Sequence, residues 1–255
     1  MFFDSHAHYD DNRFKIDRDE VLTTLPSQGV CGIVNAGSHL TSSKASIKLA
    51  EKYPYIYAAV GIHPHEVKDM TEDTLQEIKK LCNNKRVVTI GEIGLDFYYD
   101  HSPRDMQRLW FKKQLELSLE VNLPVIVHSR EATMEVFTIL KESGVRRGVL
   151  HSFSGSLQTA RDYIDMGFYI GIGGVVTFDK SKKLPEAVEK IPLEKILIET
   201  DAPYQTPVPH RGKRNDSSYL LYIAETIAKI KKTTVETVAE ATKKNAEELF
   251  NVSST

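Results

Sequence analysis

Histidines and carboxylates recur at the ends of short apolar segments. Asp4-Ser5-His6-Ala7-His8 closes the first segment, Gly61-Ile62-His63-Pro64-His65 the third and Gly91-Glu92-Ile93-Gly94-Leu95-Asp96 the fourth. His128-Ser129-Arg130-Glu131 closes the fifth, His151-Ser152-Phe153-Ser154-Gly155 the sixth and Glu199-Thr200-Asp201-Ala202-Pro203 the eighth. His6 and His8 stand two apart, so on an extended segment both imidazoles point to one side. Such a pair offers two ligands to one metal ion, although alone it is as readily a surface or core feature. Together, His6, His8, His128, His151, Glu92 and Asp201 make a ligand set. The competing reading is a group of core histidines satisfied by backbone. Neutral imidazole with carboxylate suits Zn2+, Mn2+ or iron, and carboxylate with water suits Mg2+. The set exceeds the three or four protein ligands of one catalytic zinc. Two ions sharing a carboxylate account for it, and Glu92 is the expected bridge because the fourth segment lies between the first and the fifth.

The apolar segments that must position these groups are 2–6, 30–36, 56–61, 87–93, 124–128, 148–151, 169–172 and 196–200. Their near-continuous hydrophobicity predicts parallel strands buried on both faces. Helical patterns alternate with them over 17–26, 41–52, 71–82, 103–121, 131–142, 156–166, 184–190 and 217–231. Two more, 234–242 and 243–250, end the chain. Eight such alternations predict a (β/α)8 TIM barrel forming one domain over residues 1–255. An open doubly wound sheet would want a Gly-rich phosphate fingerprint after an early strand, and none is present. In a barrel the C-terminal strand ends share one face, where barrel enzymes keep their active sites.

Composition narrows the function classes. With 41% hydrophobic and 27% charged residues, the chain matches a soluble globular protein and excludes a disordered or collagen-like one. No apolar run reaches the roughly 20 residues of a membrane span, and the first residues carry no basic leader, so a cytoplasmic protein without a membrane partner is expected. Cys31 and Cys82 lie far apart and form no metal-binding or redox motif. A net charge of −2 supplies no global field for nucleic acid, so any such substrate must be held by a local site. No obligate protein partner is evident.

The motifs D-S-H-A-H (4–8), G-I-H-P-H (61–65), G-E-I-G-L-D (91–96), V-I-V-H-S-R (125–130), H-S-F-S-G (151–155), E-T-D-A-P-Y (199–204) and P-H-R-G-K-R-N (209–215) span nearly the whole chain. In this order and spacing the sequence resembles the TatD family of metal-dependent DNases, and most of all its bacterial branch. The resemblance implies a TIM-barrel hydrolase with two divalent ions, one matching His6, His8, Glu92 and Asp201, the other Glu92, His128 and His151. It implies hydrolysis of phosphodiester bonds by a metal-activated water, as a deoxyribonuclease trimming single-stranded DNA from the 3′ end with Mg2+ or Mn2+. Zn2+ is expected to bind tightly through the imidazoles even where it is not the working ion. The family usually continues R-N-E-P after its basic motif, whereas this chain reads Arg214-Asn215-Asp216-Ser217.

Glu92 and Asp201 are the expected catalytic groups, Asp201 also being placed to accept a proton from water. His63, Arg130, Arg211 and Lys213 are the expected substrate contacts. His63 is read as a phosphate or leaving-group contact, or else as a support for a ligand. Arg130 follows His128 by two residues and would grip a phosphate, unless Glu131 neutralises it. Arg211 and Lys213 follow the eighth strand, where barrel phosphate sites often lie. The Gly171-Ile172-Gly173-Gly174 run offers backbone to a phosphate. Asp4 and Glu199 share parity with His6 and Asp201 and are expected to orient ligand imidazoles from one layer lower. No clear platform for stacking bases stands out, the run Phe97-Tyr98-Tyr99 excepted. Two rivals remain: an amidohydrolase-type barrel cleaving amides or lactones, and a barrel that binds nucleic acid without turnover.

Overall fold

The eight apolar segments form eight strands: β1 (Phe2–Ala7), β2 (Val30–Ala36), β3 (Ile56–Val60), β4 (Val87–Asp96), β5 (Val125–Arg130), β6 (Gly148–Leu150), β7 (Tyr169–Ile172) and β8 (Ile196–Ile198). The structure, a computed structural model, describes residues 1–179, 181 and 183–254. The strands pair in parallel in chain order from β1 to β8. Beyond β8, Ala202 bridges back to Ala7, with His8 N donating to Ala202 O (2.7 Å) and Asp201 N to His6 O (3.0 Å). The barrel is thereby nearly closed, and the seam lies within the motifs that carry His6, His8 and Asp201.

The helices are α1 (Arg18–Thr24), α2 (Leu40–Lys52), α3 (Glu72–Leu81), α4 (Arg104–Glu120), α5 (Thr133–Ser143), α6 (Leu157–Asp165), α7 (Lys183–Lys190), α8 (Leu220–Lys231) and α9 (Val235–Phe250). Among the described residues no helix is long and apolar enough to cross a membrane. The two final helical patterns are one continuous helix. Thr242, where a break is expected, bonds Val238 O (2.9 Å) through its own hydroxyl, so its polar group is satisfied inside the helix.

Side-chain alternation divides the apolar residues into two cores. One, between sheet and helices, holds Ile33, Val60, Val125, Val127 and Ile198. The other fills the barrel with Phe3, Val34, Tyr57, Val88, Ile126, Val149 and Leu197, and Leu249 and Phe250 of α9 close its lower end. Phe3 stacks on Phe250 at 6.2 Å and on Tyr57 at 6.1 Å. The period of two that buries Ile126, Val149 and Leu197 carries His128, His151, Glu199 and Asp201 inward above them. Two buried amides of α4 fix the neighbouring strand ends. Gln114 exchanges both bonds with the Ile62 peptide (2.8 and 3.0 Å), and Gln107 does so with Asp96 (2.8 and 3.1 Å).

Candidate metal centre

Above the apolar plug, the strand ends surround a cleft of about 1290 Å³. Glu92 stands at its base, and its two oxygens face different groups. Oε2 lies 3.3 Å from His6 Nε2 and 3.6 Å from His8 Nε2. Oε1 lies 2.8 Å from His128 Nδ1, 3.4 Å from His63 Nε2 and 3.6 Å from His151 Nε2. Asp201 Oδ1 joins the first group, 3.7 Å from His6 Nε2 and 3.5 Å from His8 Nε2, and the two imidazole nitrogens stand 3.0 Å apart. Zinc ligands at about 2.1 Å in a tetrahedron would be spaced by about 3.4 Å. Five edges among His6, His8, Glu92 and Asp201, at 3.0–3.7 Å, are of this size, and His6, His8 and Asp201 form one compact group of donor atoms.

The four expected imidazoles meet around Glu92, Asp201 joins them through His6 and His8, and His63 stands with them. His63, Glu92 and His128 form one compact group of donor atoms, while His151 groups with His6 and Glu92. His63 thus stands beside the expected second set of Glu92, His128 and His151, at 3.4 Å from Glu92 Oε1 against 3.6 Å for His151. The His6 and His151 rings are stacked with centroids 3.7 Å apart, which brings the two groups into contact.

Charge is distributed unevenly. Burial favours a neutral Glu92, but His63, His151 and His6, with the His128 bond, hold its pKa well below the usual carboxylate range. Burial likewise opposes the charge on Asp201, yet the His8 bond and the neighbouring imidazoles lower its pKa to about 2. His8 overcomes burial through Asp201 and Glu92 and is raised to about 9. His151 does so through Glu199 and Glu92 and reaches about 10. Burial wins at His63, lowered to about 4 despite Glu92. It also wins at His6, where His151 adds to the lowering.

Three supporting residues escape the sequence reading. Gln205 Nε2 donates to Asp201 Oδ2 (2.6 Å) and to Ser152 Oγ (2.9 Å), leaving Asp201 Oδ1 for the imidazoles. Asp201, Gln205 and Ser152 all take left-handed backbone, with φ of 55°, 51° and 47°. Such strain persists where surrounding contacts over-determine it, commonly at functional sites. Asp96 is the third: Oδ2 meets His128 Nε2 at 3.1 Å and His65 Nε2 at 2.9 Å, while Oδ1 accepts the N–H groups of Tyr98 and Tyr99. A carboxylate behind an imidazole fixes its orientation and raises its basicity. The signal was present in G-E-I-G-L-D, but nothing in the sequence put Asp96 opposite His128.

Other expectations divide. Glu199 Oε1 lies 2.8 Å from His151 Nδ1, off the line of a regular hydrogen bond, and accepts Ser152 N at 2.6 Å. Asp4 touches no imidazole. It accepts Thr200 N (2.9 Å), Thr200 Oγ1 (2.6 Å) and Ser217 Oγ (2.6 Å), and a register shift between Asp4 and Ala7 breaks the alternation that its expected role assumed. In the glycine run, Gly171 within β7 and Gly174 after it serve packing, since a Cβ on Gly171 would stand 2.6 Å from Glu199 Oε2 and one on Gly174 would stand 2.0 Å from Gln205 O. Arg130, Arg211 and Lys213 all line the cleft. Arg130 rests on Tyr98 and Tyr99 rather than on Glu131, and Arg211 lies 3.9 Å over Phe178. Arg214 is held by Asp17 (2.6 and 2.7 Å), and His210 bonds Tyr222 (2.8 Å), so these two brace the loop.

Residues 3–251 match the family model of TatD related DNases. The chain is 45% identical to an uncharacterized metal-dependent hydrolase of Bacillus subtilis, YabD, over 99% of this chain and 100% of that one. It is 35% identical to the 3′-5′ ssDNA/RNA exonuclease TatD of Salmonella typhimurium, over 98% and 99%. The crystal structure of the Escherichia coli TatD homolog YJJV superposes with a TM-score of 0.94 at 31% identity, covering 99% of this chain and 98% of that one.

Proposed function

Because the chain belongs to the TatD-related DNase family of metal-dependent hydrolases, we propose that it is a two-ion phosphodiesterase that degrades single-stranded DNA from the 3′ end. The observation that carries this reading is the division of the Glu92 oxygens, Oε2 toward His6 and His8 and Oε1 toward His63, His128 and His151. A carboxylate so placed can serve two cations. Divalent ions, when bound, supply an activated water and stabilise the attacking and leaving oxygens of a phosphodiester. Mg2+ or Mn2+ is the expected working ion, with Zn2+ favoured by the imidazoles.

The protein's own groups divide the remaining work. Asp201 stays ionised and can take a proton from water at Oδ1, since Gln205 occupies Oδ2. His63, neutral near pH 7, is placed either to join the Glu92–His128 donors or to meet a phosphate oxygen. Arg130 stands on one side of the cleft, and Arg211 with Lys213 on the loop after β8. These cations favour a phosphodiester over a neutral amide or lactone. The deciding experiment incubates end-labelled single- and double-stranded DNA and RNA with Mg2+, Mn2+ or Zn2+. Shortening of single strands from the 3′ end supports the proposal. Nitrophenyl ester turnover without phosphodiester turnover would give the site to the amidohydrolase reading, and binding without turnover would make the protein a binding module.

Two variants test how the parts are divided. Arg211→Ala and Lys213→Ala should each raise KM for an oligonucleotide about tenfold, because a charge-assisted contact contributes about 1.5 kcal/mol or more, while bound metal stays at the parental level. Unchanged KM in both would move the substrate off the β8 side. Gln205→Leu keeps bulk but removes the amide behind Asp201. Affinity for Zn2+, read by chelator competition, should fall about 10- to 100-fold. Parental affinity would mean that Asp201 needs no brace.

A further inference from the structure

Beside the cleft, three arginines lie over the aromatic run that follows Asp96. Arg104 and Arg108 stand 4.6 and 5.2 Å from the Phe97 ring centroid. Acids neutralise both, Asp100 at 2.6 Å from Arg104 and Glu135 against Arg108. Arg130 differs. Its guanidinium lies 4.4 Å over Tyr98 and 4.7 Å over Tyr99, and among the described residues it has no acidic partner and no side-chain hydrogen bond. Aromatic faces orient it while its N–H donors stay open.

Tyr98 and Tyr99 are 54% and 49% exposed, large aromatic side chains to leave in water beside the cleft. Their backbone is nevertheless fixed, because Asp96 Oδ1 accepts the N–H of both tyrosines (3.0 and 2.9 Å) while Oδ2 contacts His128. The Tyr99 ring stacks on His101 (5.5 Å), which leaves Tyr98 the freer of the two rings. Arg130 follows His128 by two residues on β5, on the same side and about 6.6 Å further along. Tyr99 and Arg130 line the cleft itself. An unneutralised guanidinium beside exposed, anchored rings matches a ligand carrying a negative charge and a flat aromatic group together.

We propose that Tyr98, Tyr99 and Arg130 form the subsite for a nucleotide adjoining the scissile bond, the guanidinium taking a phosphate and the tyrosines an unpaired base. This rests on the phosphodiesterase reading and adds to it a requirement: the base must leave any duplex to reach the rings. Base–aromatic stacking tolerates any sequence, because every base has a π face.

The test uses the full protein with Mn2+ and single-stranded oligonucleotides carrying 2-aminopurine, or an abasic residue, in turn at each of the last three positions. For the parent, fluorescence should be quenched at one position, and an abasic residue there should raise KM about tenfold. Tyr98→Ala combined with Tyr99→Ala should raise KM on the normal strand about tenfold, with the effect on KM rather than kcat. The quenching and the abasic penalty should disappear together, and Tyr98→Phe should retain both. Parental KM and quenching in the double alanine variant would overturn the subsite, as would an abasic penalty equal in parent and variant. A parent that cleaves no oligonucleotide would overturn the phosphodiesterase reading and the subsite with it.

Discussion

Glu92→Gln is expected to lower phosphodiesterase activity by at least about 10³-fold, the scale of removing a principal electrostatic group. The substitution keeps size and removes charge. The parental oxygens face separate donor sets, at 3.3 and 3.6 Å on one side and at 2.8, 3.4 and 3.6 Å on the other. An amide can present its carbonyl oxygen to only one of them. Its NH2 group then donates toward the other set, where a cation would otherwise sit. Both ion positions should weaken together, so bound metal per chain should fall along with the rate. A lost substrate contact would leave metal content untouched and cost about tenfold, and this separates the two kinds of defect. Thermal stability in chelator near pH 7 should fall, because the imidazoles that hold the Glu92 pKa well below the usual range make its charge favour the folded state, and Gln leaves the raised His8 and His151 with less counter-charge. Near-parental turnover in a Glu92→Gln protein that still holds two ions would remove the bridge.

The barrel and the convergence of the candidate ligands were legible because both follow from short periods. Near-continuous apolar runs at eight places call for buried parallel strands, and the alternation of two sends His128 and His151 above Ile126 and Val149 into the same interior. The resemblance to one family showed in the order of its motifs, and only through it are an activity and a pairing of ligands implied. Less legible was anything decided across strands. Gln205, Asp96 and the amides of Gln107 and Gln114 carry no marked spacing, and only the closed barrel puts them behind Asp201, His128 and the ends of β4 and β3. Asp4 was misread for a different reason: a local register shift defeats parity. Ser217, at the point where the family usually has proline, is no defect in the loop. Its N–H donates to Tyr9 (2.8 Å) and its hydroxyl to Asp4 (2.6 Å), bonds that proline lacks the groups to make.

Asp4→Ala should be the most destabilising single change near the site, by about 3 kcal/mol. Asp4 is fully buried, and burial raises its pKa to about 7 against four hydrogen bonds that act to lower it. Those bonds come from Thr200 N and Oγ1, Ser217 Oγ and His6 N. Alanine would strand these donors in a dry interior, where each unsatisfied group costs roughly 1–3 kcal/mol and partial relaxation recovers some of it. At about 2–4 °C per kcal/mol for a chain approaching this size, the thermal midpoint should fall by about 6–12 °C. Asp4→Asn retains one accepting oxygen and should lose about half as much. The consequence for activity follows from place. Asp4 joins the β1 end to Thr200 and Ser217, across the seam where His8 N meets Ala202 O and Asp201 N meets His6 O. Loosening that seam separates His6 and His8 from Asp201, so Zn2+ affinity should drop with stability in Asp4→Ala and recover partly in Asp4→Asn. A midpoint within about 2 °C of the parent, under conditions where 1 kcal/mol would already be visible, would show that the carboxylate does not hold the seam. Parental Zn2+ affinity in a destabilised Asp4→Ala protein would instead separate barrel closure from the metal centre.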